Sequence, residues 1–233
     1  FTVADISYDL VDLSHVFLKD VSINVIEPNE VNSTFVYKIN NSQYNNNNNN
    51  NNNTDIYIVG NGDNIIFVSN DNGETWSPII NNLLTVCYDI KNNNTRLIAV
   101  GSGTFPITYS DDNGLTWNGV EHNNFVFCTY VLFTGSRWIA VGYGNNTIAY
   151  SDDNGENWNS VEDIFFSLGS RHISMNQTRI IAVGAGINTI IYSDDNGENW
   201  NSSSNSNEVF VNSSVDDYGV WKIVWTGLRW VAC

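Results

Sequence analysis

The sequence predicts an all-β chain folded as a β-propeller of four-stranded antiparallel blades. An eight-residue motif recurs as SNDNGETW from Ser69, SDDNGLTW from Ser110 and SDDNGENW from Ser151 and Ser193, at intervals of 41, 41 and 42 residues. A second string, spelled RLIAVG or RWIAVG in two of its copies, begins fourteen residues before each motif. Short apolar runs at this even spacing, separated by Gly-rich turns, indicate a radial β architecture.

Each unit of the repeat divides into four short strands. In the third unit we expect the inner strand at residues 129–134, the second at 137–141, the third at 147–150 and an outer strand from residue 157. The motif then lies between the third and fourth strands of its blade. Neighbouring blades are expected to follow the same plan, because they share its spacing.

The chemistry of the motif favours a structural role. Each copy holds an Asn-Gly pair, which tolerates the positive φ of a tight hairpin. The Asp two residues after the Ser can accept hydrogen bonds from backbone N–H groups of its own turn. The closing Trp offers a large apolar surface to an adjacent unit. The residues assigned to this role are Ser69, Asp71, Gly73, Trp76, Ser110, Asp112, Gly114, Trp117, Ser151, Asp153, Gly155, Trp158, Ser193, Asp195, Gly197 and Trp200.

The motif S-x-D-x-G-x-T/N-W resembles the Asp-box, or BNR, repeat of sialidases, sortilin-type receptors and some glycoside hydrolases. The longer string TGSRWIAVGYGNNTIAYSDDNGENW resembles repeat propellers of large DNA viruses of protists. The resemblance implies a propeller of the sialidase and sortilin-like superfamily. Asn157 and Asn199 stand where the other two boxes have Thr, and we expect this change to weaken a local hydrogen bond.

The same resemblance sets a requirement for sialidase activity, which needs three arginines that converge on the substrate carboxylate. Four of the five arginines hold one position of the repeat, so they point in rotated copies of one direction and are expected to brace strand entries. These four are Arg96, Arg137, Arg179 and Arg229. We therefore predict no catalytic residues and no sialidase activity.

The chain divides into three regions. Residues 1–32 are expected to supply N-terminal strands that could close the ring, and an Asn run makes residues 41–54 a loop insertion. Residues 33–233 hold the propeller blades, four complete and a fifth incomplete, because the string recurs as RWVAC from Arg229. We expect residues beyond this sequence to complete the fifth blade, and pairing with residues 1–32 is the alternative.

Composition narrows the classes of partner. The chain has 25 Asp and Glu against 9 Lys and Arg, a formal charge of −16, which nucleic-acid phosphates would repel. Its longest apolar stretch, 125–133, is too short to span a membrane as a helix. His15, His122 and His172 are isolated, and the motif lacks the downstream Glu of a calcium loop. We predict no nucleic-acid partner, no membrane insertion, no metal and no cofactor.

The face opposite the Asp boxes carries the candidate binding site. In a four-stranded blade this face collects the loops from second to third strand and from outer strand to the next inner strand. The residues expected there, which we call the loop-face rim, are Asp63, Glu121, His122, Glu162, Asp163, Asp216, Asp217 and Tyr218. A solvated acidic surface, a site for a cation or a partner, and a pair of catalytic carboxylates all fit this pattern.

Two functions follow from these expectations. The first is a non-enzymatic binding or assembly module that recognises a protein or glycan, on an extracellular or virion surface and as part of a larger assembly. The alternative is a glycoside hydrolase that uses two rim carboxylates roughly 5–10 Å apart. The sequons expected to carry glycans are Asn93, Asn145, Asn176, Asn201 and Asn212.

Overall fold

The computed structural model of the protein describes the strand at 35–38 and residues 55–121, 125–162, 165–205 and 219–233. The predictions for residues 1–32 and for the insertion at 41–54 lie outside these residues. Within the described ranges every regular element is a β-strand, and no helix is long and apolar enough to cross a membrane.

Four four-stranded antiparallel sheets follow one another, and a two-stranded sheet follows them. The first contains β1 (Phe35–Lys38), β2 (Ile56–Val59), β3 (Ile66–Ser69) and β4 (Ser77–Ile79). The second contains β5 (Leu84–Asn92), β6 (Leu97–Gly103), β7 (Ile107–Ser110) and β8 (Asn118–Gly119). The third contains β9 (Phe125–Phe133), β10 (Trp138–Gly144), β11 (Ile148–Ser151) and β12 (Asn159–Ser160). The fourth contains β13 (Ser170–Met175), β14 (Ile180–Gly184), β15 (Ile190–Ser193) and β16 (Asn201–Ser202), and β17 (Ile223–Trp225) pairs with β18 (Trp230–Ala232). These sheets confirm the prediction of an all-β fold with four-stranded antiparallel units.

The first strand of each sheet lies innermost. β5 contacts β9, β9 contacts β13, and β13 contacts β17. We call β5, β9, β13 and β17 the inner strands. Within each four-stranded sheet the strands pair in chain order, so the sheet runs outward from its inner strand. Successive sheets that meet at their inner strands are consistent with a propeller.

Packing between neighbouring sheets builds the core. One buried cluster joins Tyr57 and Ile66 of the first sheet to Ile90 of the second, and the next joins Ile98 of the second to Trp138 of the third. The second strands are buried on both faces, which explains why their sequences are continuous apolar runs rather than alternating ones.

A β-bulge recurs on the inner strands. Tyr88, Thr129 and Arg171 are the extra residues in the pairing of β5, β9 and β13 with their second strands. Each bulge faces a Gly of the second strand, and a Cβ on Gly142 would lie 2.4 Å from the Phe127 carbonyl oxygen. The backbones therefore approach too closely for any other residue. Bulges turn a strand and re-aim its side chains, so the repeat redirects β5, β9 and β13 at one register position.

The strand bounds of the third unit differ from those expected. The inner strand begins at Phe125 rather than at residue 129, because pairing continues beyond the bulge. The outer strand is confined to Asn159–Ser160 rather than starting at residue 157. Asn157 is held in the turn by two hydrogen bonds to Asp153, so it does not join the ladder.

Candidate functional site

The Asp boxes form hydrogen-bonded turns. In the second box, Ser110 Oγ donates to Asp112 Oδ1 at 2.8 Å and accepts from the Gly114 N–H at 2.8 Å. The backbone N–H and the hydroxyl of Thr116 donate to the two oxygens of Asp112 at 2.8 and 2.6 Å. The Asn of every box has a φ near +60°, as a tight turn requires. The side chains of the Ser and the Asp of the box therefore make these hydrogen bonds inside the turn itself.

The replacement of Thr by Asn in two boxes does not remove the bond that we expected to weaken. Asn157 Nδ2 donates to Asp153 Oδ2 at 2.7 Å, and Asn199 Nδ2 donates to Asp195 Oδ2 at 2.7 Å. The amide group reaches the same carboxylate oxygen as the Thr hydroxyl. The expectation of a weakened bond is therefore not supported, because the amide supplies an equivalent donor.

Hydrogen bonding lowers the pKa of the box carboxylates. The side chain and then the backbone N–H of Thr116 lower the pKa of Asp112 to about 2. The backbone N–H and then the side chain of Asn199 lower the pKa of Asp195 to about 2. These donors stabilise the ionised form, so the carboxylates are charged at neutral pH and engaged in the turn.

Two of the repeated arginines, Arg96 and Arg137, link their own sheet to the next Asp box. Nε and Nη2 of Arg96 donate to the two oxygens of Asp111 at 2.7 and 2.8 Å. Nη1 of Arg96 donates to the Asn154 carbonyl of the following box at 3.0 Å, and Cζ lies 3.9 Å from the centroid of the Tyr109 ring. Arg137 makes the same set of contacts with Asp152, Asn196 and Tyr150. We call this arrangement the Arg clamp.

The Gly and Trp of the boxes also pack between sheets. A Cβ on Gly155 would lie 2.5 Å from Cδ1 of Ile98 in the preceding sheet. Trp117, Trp158 and Trp200 pack against or within the buried clusters that join their own sheet to the preceding one. The Asp box thus holds neighbouring sheets together through its backbone, its Gly and its Trp.

The structure distributes the described rim residues over different sheets. Asp63 lies in the β2–β3 loop, whereas Glu121 and Glu162 follow β8 and β12, and all three are exposed. Glu121 and Glu162 each stand eleven residues after the Ser of their box, so they are repeat equivalents on successive sheets. The remaining rim residues lie outside the described residues: His122, Asp163, Asp216, Asp217 and Tyr218.

A depression of about 400 Å³ lies between the first two sheets on the loop face. Asp63 and Thr85 supply polar groups to its lining, and Ile79 and Leu84 supply apolar ones. Asn81, also in the lining, is fixed by a hydrogen bond from its Nδ2 to Thr108 Oγ1 at 3.0 Å. Asp63 is the single carboxylate among the described residues that line it.

An apolar surface lies on the loop face of the third and fourth sheets. Phe127 and Tyr143 stack with centroids 5.4 Å apart, and Tyr143 packs against the backbone at Gly169. Leu168 and Ile187 are exposed in the adjoining loops, where the Ile187 N–H donates to Ser167 Oγ at 3.2 Å. We call Phe127, Tyr143, Leu168 and Ile187 the loop-face patch. No local sequence pattern marks this patch, since its four members come from four separate segments.

A second group of residues that sequence reasoning missed lies on the inner strands. The ammonium of Lys91 lies 2.6 Å from Asp89 Oδ1 and 4.5 Å from the centroid of the Tyr130 ring, and the Tyr130 and His172 rings are 4.1 Å apart. Lys222 acts electrostatically on His172. We call Asp89, Lys91, Tyr130, His172 and Lys222 the inner-strand cluster.

One signal in the sequence could have found this cluster. Four of its members stand seven residues before a repeated Arg: Asp89, Tyr130, His172 and Lys222. The next strand position keeps its apolar character between units, as Ile90, Val131, Ile173 and Ile223, whereas this position changes from acid to phenol to imidazole to amine. A repeat position that holds a different polar group in every copy indicates specialisation rather than packing.

Burial sets the electrostatics of the cluster. Burial, and then the positive charges of Lys222 and Lys91, lower the pKa of His172 to about 3, so the imidazole is neutral at physiological pH. Burial raises the pKa of Asp89, and the charge of Lys91 opposes that effect. Asp89 also accepts the N–H of Val131 on the neighbouring inner strand at 3.1 Å.

The sequons differ in accessibility. Asn145 and Asn201 are exposed, whereas Nδ2 of Asn93 donates to Asn154 Oδ1 of the next sheet at 2.6 Å. The side-chain oxygen of Asn176 accepts two backbone N–H groups of its turn. Asn212 lies outside the described residues. A glycan on Asn93 would displace a contact between sheets, so Asn145 and Asn201 are the more accessible acceptors.

Comparison with known proteins identifies the repeat. The family model described as BNR/Asp-box repeat matches residues 67–78, 149–160 and 191–202. The box that begins at Ser110 lies outside the matched ranges but forms the same hydrogen bonds. No curated protein matches the chain.

Solved structures resemble this chain over part of its length. An ancestral GH74 enzyme is 14% identical over 64% of this chain and 22% of its own, with a TM-score of 0.53. The GH74 enzyme of Niastella koreensis is 16% identical over 65% of this chain and 28% of its own, with a TM-score of 0.49. A nidogen/laminin complex is 13% identical over 60% of this chain and 55% of its own, with a TM-score of 0.48. The chain thus spans about a fifth of the ancestral GH74 enzyme. The protein carries BNR/Asp-box repeats on an all-β fold of propeller type.

Proposed function

We propose that the protein is a non-enzymatic module that binds a protein or glycan partner through its loop face. The observation that carries the proposal is the loop-face patch, where Tyr143, Leu168 and Ile187 are exposed beside one another on the side opposite the Asp boxes. Contiguous exposed apolar surface of this kind marks interaction sites on globular proteins. Aromatic side chains are also the anchors most often used at interfaces and against sugar rings.

The arrangement of the described carboxylates supports binding rather than hydrolysis. A glycosidase requires two carboxyl groups that face each other across one cleft. Glu121 and Glu162 are repeat equivalents on successive sheets, and the depression between the first two sheets is lined by Asp63 alone among the described acids. The likeness to a GH74 enzyme concerns the fold, because functions are grafted on folds through their sites.

We further propose that the module works at an extracellular or virion surface as part of a larger assembly. Two sequons, at Asn145 and Asn201, present exposed side chains that a glycan could occupy. Intact-mass analysis of the protein secreted from eukaryotic cells, before and after removal of N-glycans, tests this part. A mass unchanged by the treatment would contradict it.

Binding and catalysis are separated by testing one sample in two assays. We expect the purified chain to bind a member of a glycan or candidate-protein array and to release no fluorophore from a panel of fluorogenic glycosides. Ile187→Ser should then weaken the binding about tenfold, since truncating an interface anchor costs 1 to 2 kcal/mol or more.

Leu115→Ser is the matched control, because Leu115 is an exposed apolar residue in an Asp box on the opposite face. We expect it to leave binding unchanged. Hydrolysis of any glycoside, with loss of that activity in Glu121→Gln or Glu162→Gln, would establish the alternative of a glycoside hydrolase. Equal effects of the two Ser variants would refute the loop face as the binding surface.

A further inference from the structure

The positively charged residues of this acidic chain occupy two kinds of position. Where side chains are described, four of the cations are the repeated arginines, each directly before the second strand of its unit. The other three lie on or next to inner strands: Lys91 on β5, Arg171 on β13 and Lys222 beside β17. The whole chain has a formal charge of −16, whereas the described inner strands carry Asp89 as their one carboxylate beside these three cations. A region with excess positive charge in a negative protein favours anions there over the surrounding surface.

His172 gives the second and independent observation. Its side chain is buried, with 7% of its surface exposed, and neither ring nitrogen has a hydrogen-bond partner among the described residues. Buried polar groups in folded proteins are almost always hydrogen-bonded, and leaving one unpaired is costly. A neutral imidazole offers one N–H donor and one acceptor. The imidazole is therefore placed for a partner that the described residues do not supply.

The charge of the cluster selects the kind of partner. Lys91 and Lys222 are positive, and Asp89 accepts both the Lys91 ammonium and the Val131 N–H in the manner of an ionised carboxylate. Lys91 pairs with Asp89, whereas Lys222 has no carboxylate partner among the described residues. One carboxylate balances the charge of Lys222, and the neutral imidazole of His172 offers it an uncharged donor. We propose that the inner-strand cluster binds the carboxylate group of a small organic acid, with Lys222 and His172 as the donors.

The surroundings fit an organic ligand rather than a bare ion. Lys222 and its neighbour Trp221 are exposed beside β17, so a ligand can reach the ammonium group of Lys222 from solvent. Tyr130 is partly buried with its ring against His172, and Trp221 packs on the Arg171 guanidinium at 3.8 Å. Ring faces beside a carboxylate site can contact the carbon skeleton of the acid. The site shares no residue with the repeated arginines or with the loop-face patch.

Glucuronate and glucose are the probes, because they have the same sugar ring and differ in the carboxylate. The chain has 3 histidines, so the imidazole carbon-bound protons can be followed by NMR and His172 assigned with a His172→Gln variant. We expect glucuronate to shift the His172 signals saturably and glucose to leave them in place. Lys222→Gln should weaken glucuronate binding about tenfold, as expected for a lost charged hydrogen bond.

Arg229→Gln is the matched control, since it removes one positive charge from an exposed residue of the β17–β18 turn. It should leave the affinity for glucuronate unchanged at fixed ionic strength. The proposal is wrong if glucose shifts the His172 signals as glucuronate does, if no shift occurs, or if the Lys222 and Arg229 variants lose affinity equally. Tighter binding of inorganic phosphate than of glucuronate would overturn the assignment to a carboxylate.

Discussion

The Arg clamp leads to a prediction with an internal control. Arg96 and Arg179 hold the same repeat position, and each pairs with two carboxylate oxygens and lies over a Tyr ring. The side chain of Arg96 is 6% exposed and also donates to the Asn154 carbonyl of the next Asp box, whereas that of Arg179 is 41% exposed. Replacing each with Met keeps the apolar stem and removes the charge. The two variants therefore differ chiefly in burial and in the bond between sheets.

The magnitudes follow from those contacts. Arg96→Met loses a charged hydrogen bond to a carbonyl, worth about 1.5 to 3 kcal/mol, and a cation–π contact, worth about 0.5 to 1 kcal/mol. Its ion pair with the half-exposed Asp111 adds at most about 1 kcal/mol. Because such terms are not additive, we expect a total loss of about 2 to 4 kcal/mol in the free energy of unfolding. Arg179→Met should lose about 1 kcal/mol.

Urea unfolding followed by Trp fluorescence measures both values. The dependence of the unfolding free energy on urea should be unchanged, so that a shift in midpoint reports stability. Equal losses in the two variants, or a loss below 1 kcal/mol for Arg96→Met, would refute the Arg clamp as a bond between sheets.

Three further predictions concern the Asp boxes and the cysteines. Asp153→Ala should lower the free energy of unfolding by about 1 to 2 kcal/mol, because hydrogen-bond donors of the turn lose their acceptor. Binding at the loop face should persist, and a variant with wild-type stability but lost binding would contradict the prediction. The pKa of Asp112 and of Asp195 is about 2 in the folded protein and about 3.9 in the unfolded chain. These carboxylates therefore contribute stability above pH 4 that is lost as the pH falls towards 2. Acid titration monitored by circular dichroism should show the loss between these two pH values. Cys87 and Cys128 are fully buried and Cys233 is exposed, so a thiol reagent should label one cysteine in the native protein and three in denaturant.

Much of the fold was predictable because its determinants are local. The Asn-Gly pair, the Ser and the Asp of each box act within one turn, so the sequence alone indicates the hairpin and the structural role of its carboxylate. Arg96 was expected only to brace a strand entry. Its bond to the Asn154 carbonyl joins residues 58 positions apart, and no local pattern encodes that distance.

The candidate sites were less predictable, because their residues are far apart in the sequence. Glu121 and Glu162 were selected by loop position, but loop position does not fix which side chains meet. The loop-face patch unites Phe127, Tyr143 and the 165–169 loop, which come from separate strands and loops. His172 was dismissed as isolated in sequence, although its ring lies against Tyr130 of the neighbouring sheet.

The Arg clamp has a consequence for how such a chain can grow. The third unit carries both a donor, Arg137, for the unit that follows and an acceptor, the Asn154 carbonyl, for the unit that precedes. Duplication of a whole unit therefore copies both the Arg donor and the carbonyl acceptor, and the new unit can bond to its neighbours without further mutation. The inner-strand position seven residues before the Arg takes no part in that junction. Selection can thus diversify this position unit by unit while the junctions stay constant.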